Sequence, residues 1–96
     1  MTLDRAFAGQ RIDILKIDVE GHEERVLRGA ENLLRSPERR PRAIFVEVHP
    51  YAWPSLGTTS ESLLALLTGV GYHTETVQGK TVTAIEHYGE IVARLN

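Results

Sequence analysis

The chain has 96 residues and a formal net charge of -2, enough for one small domain that buries roughly 60–70% of its unfolded surface. That charge gives no electrostatic case for nucleic acid or an anionic membrane, and the lack of cysteine excludes disulfides and thiolate metal sites. No apolar run approaches the ~20 residues of a membrane span, and Met1 to Phe7 lacks a signal-peptide core, so the expected location is cytoplasmic.

Thr2 to Ala8 reads as a short turn, with Asp4 as a cap and Leu3 and Phe7 packing on a sheet. A strand is predicted over about Arg11 to Val19. Ile12, Ile14, Leu15, Ile17 and Val19 are apolar and mostly β-branched, so both of its faces call for cover. Side chains alternate along a strand, which puts Ile12, Ile14, Lys16, Asp18 and Glu20 on one face. That face turns from oil to charge at the carboxyl end. Gly21 permits a sharp turn, and a helix follows over about His22 to Leu34. Val26, Leu27, Ala30, Leu33 and Leu34 form its apolar face. Glu23 projects onto that face too, either as a helix-terminal charge reaching solvent or as a site residue. Gly29-Ala30 either lets the helix approach the sheet closely or breaks it in two.

Arg35 to Arg42 reads as a solvated connector rather than a phosphate grip. The second predicted strand is Ala43 to His49, stopped by Pro50. Ala43, Phe45, Glu47 and His49 share one face, which again starts apolar and ends charged. Two strands joined by a helix make a βαβ unit with a parallel pair. Pro50 to Thr59 is a proline-stiffened loop holding Tyr51 and Trp53, fit to wall a pocket or to pack as a plug. A capping box at Thr58 to Glu61 starts a helix to about Thr68, ended by Gly69 and Gly71. Tyr72 to Val77, Thr81 to Glu86 and Ile91 to Leu95 are strand candidates, at least one of them antiparallel.

The charged tips gather Lys16, Asp18, Glu20, His22, Glu23, Glu47 and His49. Such a crevice at the carboxyl ends of parallel strands is where open α/β sheets keep ligands. It can hold a cationic ligand, supply a general base, or bind a metal, although no spacing matches a strict ligand motif and no metal site is assigned. Lys16 pairing with Glu47 across the strands is the purely structural alternative.

These residues resemble the FkbM family of S-adenosylmethionine-dependent methyltransferases. The likeness rests on L-K-I-D-V-E-G-H-E at Leu15 to Glu23, V-L-R-G-A at Val26 to Ala30 and R-P-R-A-I-F-V-E-V-H-P at Arg40 to Pro50, with T-L-D at Thr2 to Asp4. It implies an α/β fold: the C-terminal half of a Rossmann-like methyltransferase sheet, a parallel pair with crossover helix plus an antiparallel strand or hairpin. The first strand would be the sheet's fourth, the second its fifth, and the tail its last two. The family methylates hydroxyls, often on sugars or natural products. Carried over, Asp18, Glu20 and Gly21 would face the cofactor and Lys16 would organise them. Asp18, Glu20, Lys16, Glu47 and His49 would carry catalysis, and His22, Glu23, Tyr51 and Trp53 would meet the small-molecule hydroxyl acceptor. The resemblance also implies a single partial domain over residues 1–96, without the glycine-rich cofactor half and inactive alone. The alternatives are a non-catalytic module that self-associates through the bare strand Ile12 to Asp18, or a metal-dependent hydrolase.

Overall fold

In the computed structural model, which describes residues 13–18 and 21–96, β1 (Ile14–Ile17) leads into α1 (Glu23–Arg28) and α2 (Glu31–Arg35). There follow β2 (Ala43–Val48), two 3-10 turns (Pro50–Ala52 and Pro54–Leu56), α3 (Ser60–Gly69), β3 (Tyr72–Thr76) and β4 (Gly89–Leu95). The expected turn at Asp4 and the residues Val19 and Glu20 lie outside the described residues. No helix of the described chain is long and apolar enough to cross a membrane.

The four strands form one mixed sheet in the order β1-β2-β4-β3. β1 and β2 pair in parallel, with Lys16 opposite Phe45 and Ile17 opposite Val46. This is the pairing that two strands joined by a helical crossover require. β4 runs antiparallel to both neighbours, with Glu47 opposite Glu90 and Thr74 opposite Ala93. Alternation then sorts the sheet into two faces. On one, Ile44, Val46, Val48, Ile91, Ala93 and Tyr72 join Leu27, Leu34, Leu63, Leu66 and Leu67 in a single apolar core. The other carries Lys16, Phe45, Glu47 and Glu90.

Three expectations are corrected, and the choice left open at Gly29-Ala30 is settled. β1 is not covered on both faces: it is an edge of the described sheet, and Ile14 is 59% exposed while Ile17 is buried. The expected helix over His22 to Leu34 is two helices, because the chain turns at Gly29-Ala30, which lets both Leu33 and Leu34 reach the interior. The cap of α3 is Thr59 rather than Thr58. The Thr59 hydroxyl accepts the Ser62 N–H at 2.9 Å, and the Ser62 hydroxyl accepts the Thr59 N–H at 2.9 Å. Thr58 instead closes the preceding loop by donating its N–H to the Trp53 carbonyl. Thr81 to Glu86 is not a strand. It makes one bridge to Glu75, then leaves the sheet as Ile85 buries itself and donates its N–H to Ser60 Oγ at 2.7 Å. β4 has already taken the inner edge of β3, so this segment finds only the outer one.

A buried tether fixes β3 to the connector before β2. The Tyr72 hydroxyl donates to the Pro41 carbonyl at 2.5 Å, and burial pushes the Tyr72 phenol up to about 12.

Candidate functional site

The site begins with register. Ile17 opposes Val46, so one further step along the parallel pair sets Asp18 beside Glu47 on the charged face. Like charges placed opposite one another in a sheet repel. The two carboxyls are displaced in opposite directions. Asp18 is pushed above the usual carboxylate range, first by its hydrogen bond to Glu47, then by burial and by the Glu47 charge. Glu47 is held below that range, first by the hydrogen bond it accepts from the Tyr88 hydroxyl. Lys16 does not form the expected salt bridge with Glu47. Opposite Phe45, its ammonium acts from a distance, favouring the charged forms of both carboxyls.

His49 follows β2 and turns its ring into the same place. Its Nε2 lies 3.9 Å from Glu47 Oε1, and ligand-type atoms of Asp18, Glu47 and His49 all lie within 4.8 Å of one another. Tyr51 and Tyr88 meet the imidazole edge-on, at centroid distances of 5.9 and 5.3 Å.

Behind this group sits Glu23. Expected at the cleft, it is 0% exposed. Its Oε1 accepts the His49 backbone N–H at 2.9 Å and the Trp53 indole N–H at 3.2 Å. One carboxylate oxygen thereby ties the end of β2 to the aromatic loop. Trp53 is buried with it, which makes the loop a plug at that point, whereas Tyr51 is 71% exposed. Two polar atoms in this nest have no hydrogen-bond partner among the described residues: Glu23 Oε2 and His49 Nδ1.

Of the residues expected at the site, Asp18, Glu47 and His49 converge, and Tyr51 borders them. His22 is exposed at the start of α1 and its side chain caps nothing. Glu20 lies outside the described residues. Gly21 adopts φ +96°, and a Cβ there would meet the Ala52 Cβ at 2.6 Å. The glycine thus admits the Pro50–Ala52 turn, and that turn fills the space in front of it. Tyr88 escaped the sequence reading. Its only signal is its place two residues before Glu90, which becomes meaningful once Glu90 is known to oppose Glu47.

A separate shallow cleft of about 230 Å³ is lined by Val48, Val82, Ile85, His87 and Ile91. Val48 and Ile91 belong to the core face, while Glu90, which also lines the cleft, lies opposite Glu47.

S-Adenosylmethionine fits these residues at one end only. The acidic tips suit its cationic methionine portion. Among the described residues no glycine-rich loop follows a strand to admit its nucleoside, since the space at Gly21 is occupied by Ala52 and Leu56.

A search of curated proteins and one of solved structures each find no significant match. The sequence does match the methyltransferase FkbM domain over residues 1–74, a span that takes in β1, β2 and every residue of the cluster except Tyr88. The chain therefore belongs to the FkbM methyltransferase family, whose members are S-adenosylmethionine-dependent.

Proposed function

We propose that this chain is the acceptor-side half of an FkbM-type O-methyltransferase acting on a hydroxyl of a sugar or other natural product. Cofactor binding would need the family's glycine-rich segment, which is not among residues 1–96. The observation that carries the reading is the convergence of Asp18, Glu47 and His49 at the carboxyl ends of two adjacent parallel strands. The parallel pair with its helical crossover and the antiparallel β4 support the assignment of β1 and β2 as fourth and fifth strands of a methyltransferase sheet, with β3 and β4 as its last two.

S-Adenosylmethionine, when bound, supplies an electrophilic methyl group. The residues of this chain have two tasks. They must hold the acceptor oxygen in line, which is where most of the acceleration in such a transfer arises. They must also accept its proton, and Asp18, Glu47 and His49 offer adjacent acceptor atoms for it. Tyr88 orients Glu47, Lys16 moderates the negative charge, and the exposed Tyr51 ring offers a wall for the acceptor.

Calorimetry with S-adenosylmethionine, followed by transfer of labelled methyl to a panel of sugars, tests the reading. The chain alone is expected to bind the cofactor weakly and transfer nothing. Mixed with the glycine-rich half of an FkbM domain it is expected to transfer, and Glu47→Gln should abolish transfer while leaving cofactor binding intact. Tight cofactor binding by the lone chain would overturn the half-site assignment.

A second reading has one observation in its favour. β1 is an edge strand of the described sheet with Ile14 largely exposed, and bare apolar edges invite pairing with another chain. Self-association through this edge would appear in sedimentation as a dimer lost on Ile14→Lys. A monomer at high concentration would remove it.

A further inference from the structure

We propose that Asp18, Glu47 and His49 form a binding site for a divalent cation, held in place by the buried carboxylate of Glu23. The argument starts from what the three groups present to one another. Two carboxylates meet across adjacent strands, and the imidazole Nε2 stops 3.9 Å from Glu47 Oε1, beyond hydrogen-bond reach. Their ligand-type atoms lie within 4.8 Å of one another, so side-chain rotations of about 1 Å would bring them to the roughly 3–3.5 Å separation of ligands that share one ion at about 2.0–2.2 Å.

The second observation comes from the far side of the His49 ring and from Glu23, outside the three ligands. His49 is 4% exposed, yet its Nδ1 has no hydrogen-bond partner among the described residues. Glu23 Oε1 lies 3.7 Å from that nitrogen, and Glu23 Oε2 is equally buried and unpartnered. A modest rotation of the ring closes an Nδ1–H···Glu23 hydrogen bond. That bond would fix the tautomer that leaves the Nε2 lone pair facing Asp18 and Glu47. A metal-bound histidine characteristically donates its other ring N–H to a carboxylate in this way, which orients the ring and raises its basicity. Glu23 is itself anchored by the His49 backbone N–H and the Trp53 indole, so the support is rigid before any ion arrives.

One imidazole and two carboxylates form a mixed nitrogen–oxygen donor set. It suits the Mn²⁺ to Zn²⁺ range rather than Ca²⁺, which takes oxygen ligands in larger number. Three protein ligands leave positions open for solvent or an acceptor hydroxyl. The use of such an ion in methyl transfer rests on the function proposed above; its binding does not.

The test uses the whole chain, freed of metal by chelation, without cofactor or acceptor. Mn²⁺ is titrated with electron paramagnetic resonance reading the free ion, and Zn²⁺ by calorimetry. A single saturable site is expected, weakened about 10-fold or more by Asp18→Asn and by Glu47→Gln. Nitrogen-15 spectra of the His49 ring should show Zn²⁺ shifting Nε2 while Nδ1 keeps its proton, a reading that needs no variant to fold. Glu23→Gln should weaken the site less than either ligand change. The proposal is overturned by no saturation at about 1 mM of either ion, by binding indifferent to both ligand substitutions, or by an unmoved Nε2. A cluster filled only by a proton would show itself as the last of these. Failure of methyl transfer in the mixture with the glycine-rich half, alongside intact metal binding, would sink the proposed function and leave the cation site standing.

Discussion

Replacing Glu23 separates two roles that its position could serve. The carboxylate is 0% exposed and accepts the His49 N–H and the Trp53 indole N–H through one oxygen. Glu23→Leu keeps the volume close but strips the acceptor from both donors. Each buried donor left unpaired costs about 1–3 kcal/mol, so the substitution should cost about 2–6 kcal/mol. A chain of 96 residues has about 5–14 kcal/mol of net stability at the usual per-residue values, so Glu23→Leu consumes a large part of it. Glu23→Gln retains an oxygen at the same place and should cost less than about 1.5 kcal/mol. Trp53 is the sole tryptophan and sits in the nest, so its fluorescence in a urea titration reports on this point directly. Parallel shifts of near-ultraviolet dichroism would confirm a single transition. The reasoning fails if Glu23→Leu lies within about 1 kcal/mol of the parent, or if Gln proves as harmful as Leu.

Three further outcomes are expected. Tyr72, raised to about 12 by burial, prefers its neutral form when folded. Its contribution should therefore be complete below about pH 10 and vanish as pH climbs toward 12, while Tyr72→Phe should flatten the loss over that window in a pH series of urea midpoints. Gly21→Ala should cost about 1–3 kcal/mol, because φ +96° and the 2.6 Å approach to Ala52 both oppose a Cβ. Adding Ala52→Gly should recover the contact share alone, and strict additivity in thermal melts would contradict the close approach. Leu67→Ala, at 0% exposure in the core, should cost about 2–5 kcal/mol by denaturant titration, against less than about 1 for breaking the half-exposed Arg94–Glu75 pair with Arg94→Ala.

The features legible in the sequence were those written as local patterns. Ala43 to Val48 alternates so regularly that its buried and charged faces could be named, and the oil-to-charge trend in both strands located the cluster. What stayed hidden depended on partners distant along the chain. Glu23 reads equally well as a solvated helix terminus until Trp53 and His49 are seen to donate to it. Tyr88 has no local mark, because its importance comes from the pairing of β4 with β2. Thr81 to Glu86 has strand composition but no free inner edge to join, a matter of strand order rather than of propensity. The shift of the cap from Thr58 to Thr59 shows the same limit at small scale. Both threonines can cap, and the Trp53 carbonyl decides between them by claiming the Thr58 N–H.

The place of β4 bears on how this molecule comes to exist. It is the last of the described strands, yet it lies between β2 and β3, which make no ladder with each other. A nascent polypeptide emerging from the ribosome can form the β1–β2 unit early but leaves β3 without a neighbour until residues 89–95 appear. Closure of the sheet must then wait for the most sequence-distant pairings, which are the slow ones. In the interval two unsatisfied strand edges stand open, and this is when chaperones and misassembly would compete for the chain.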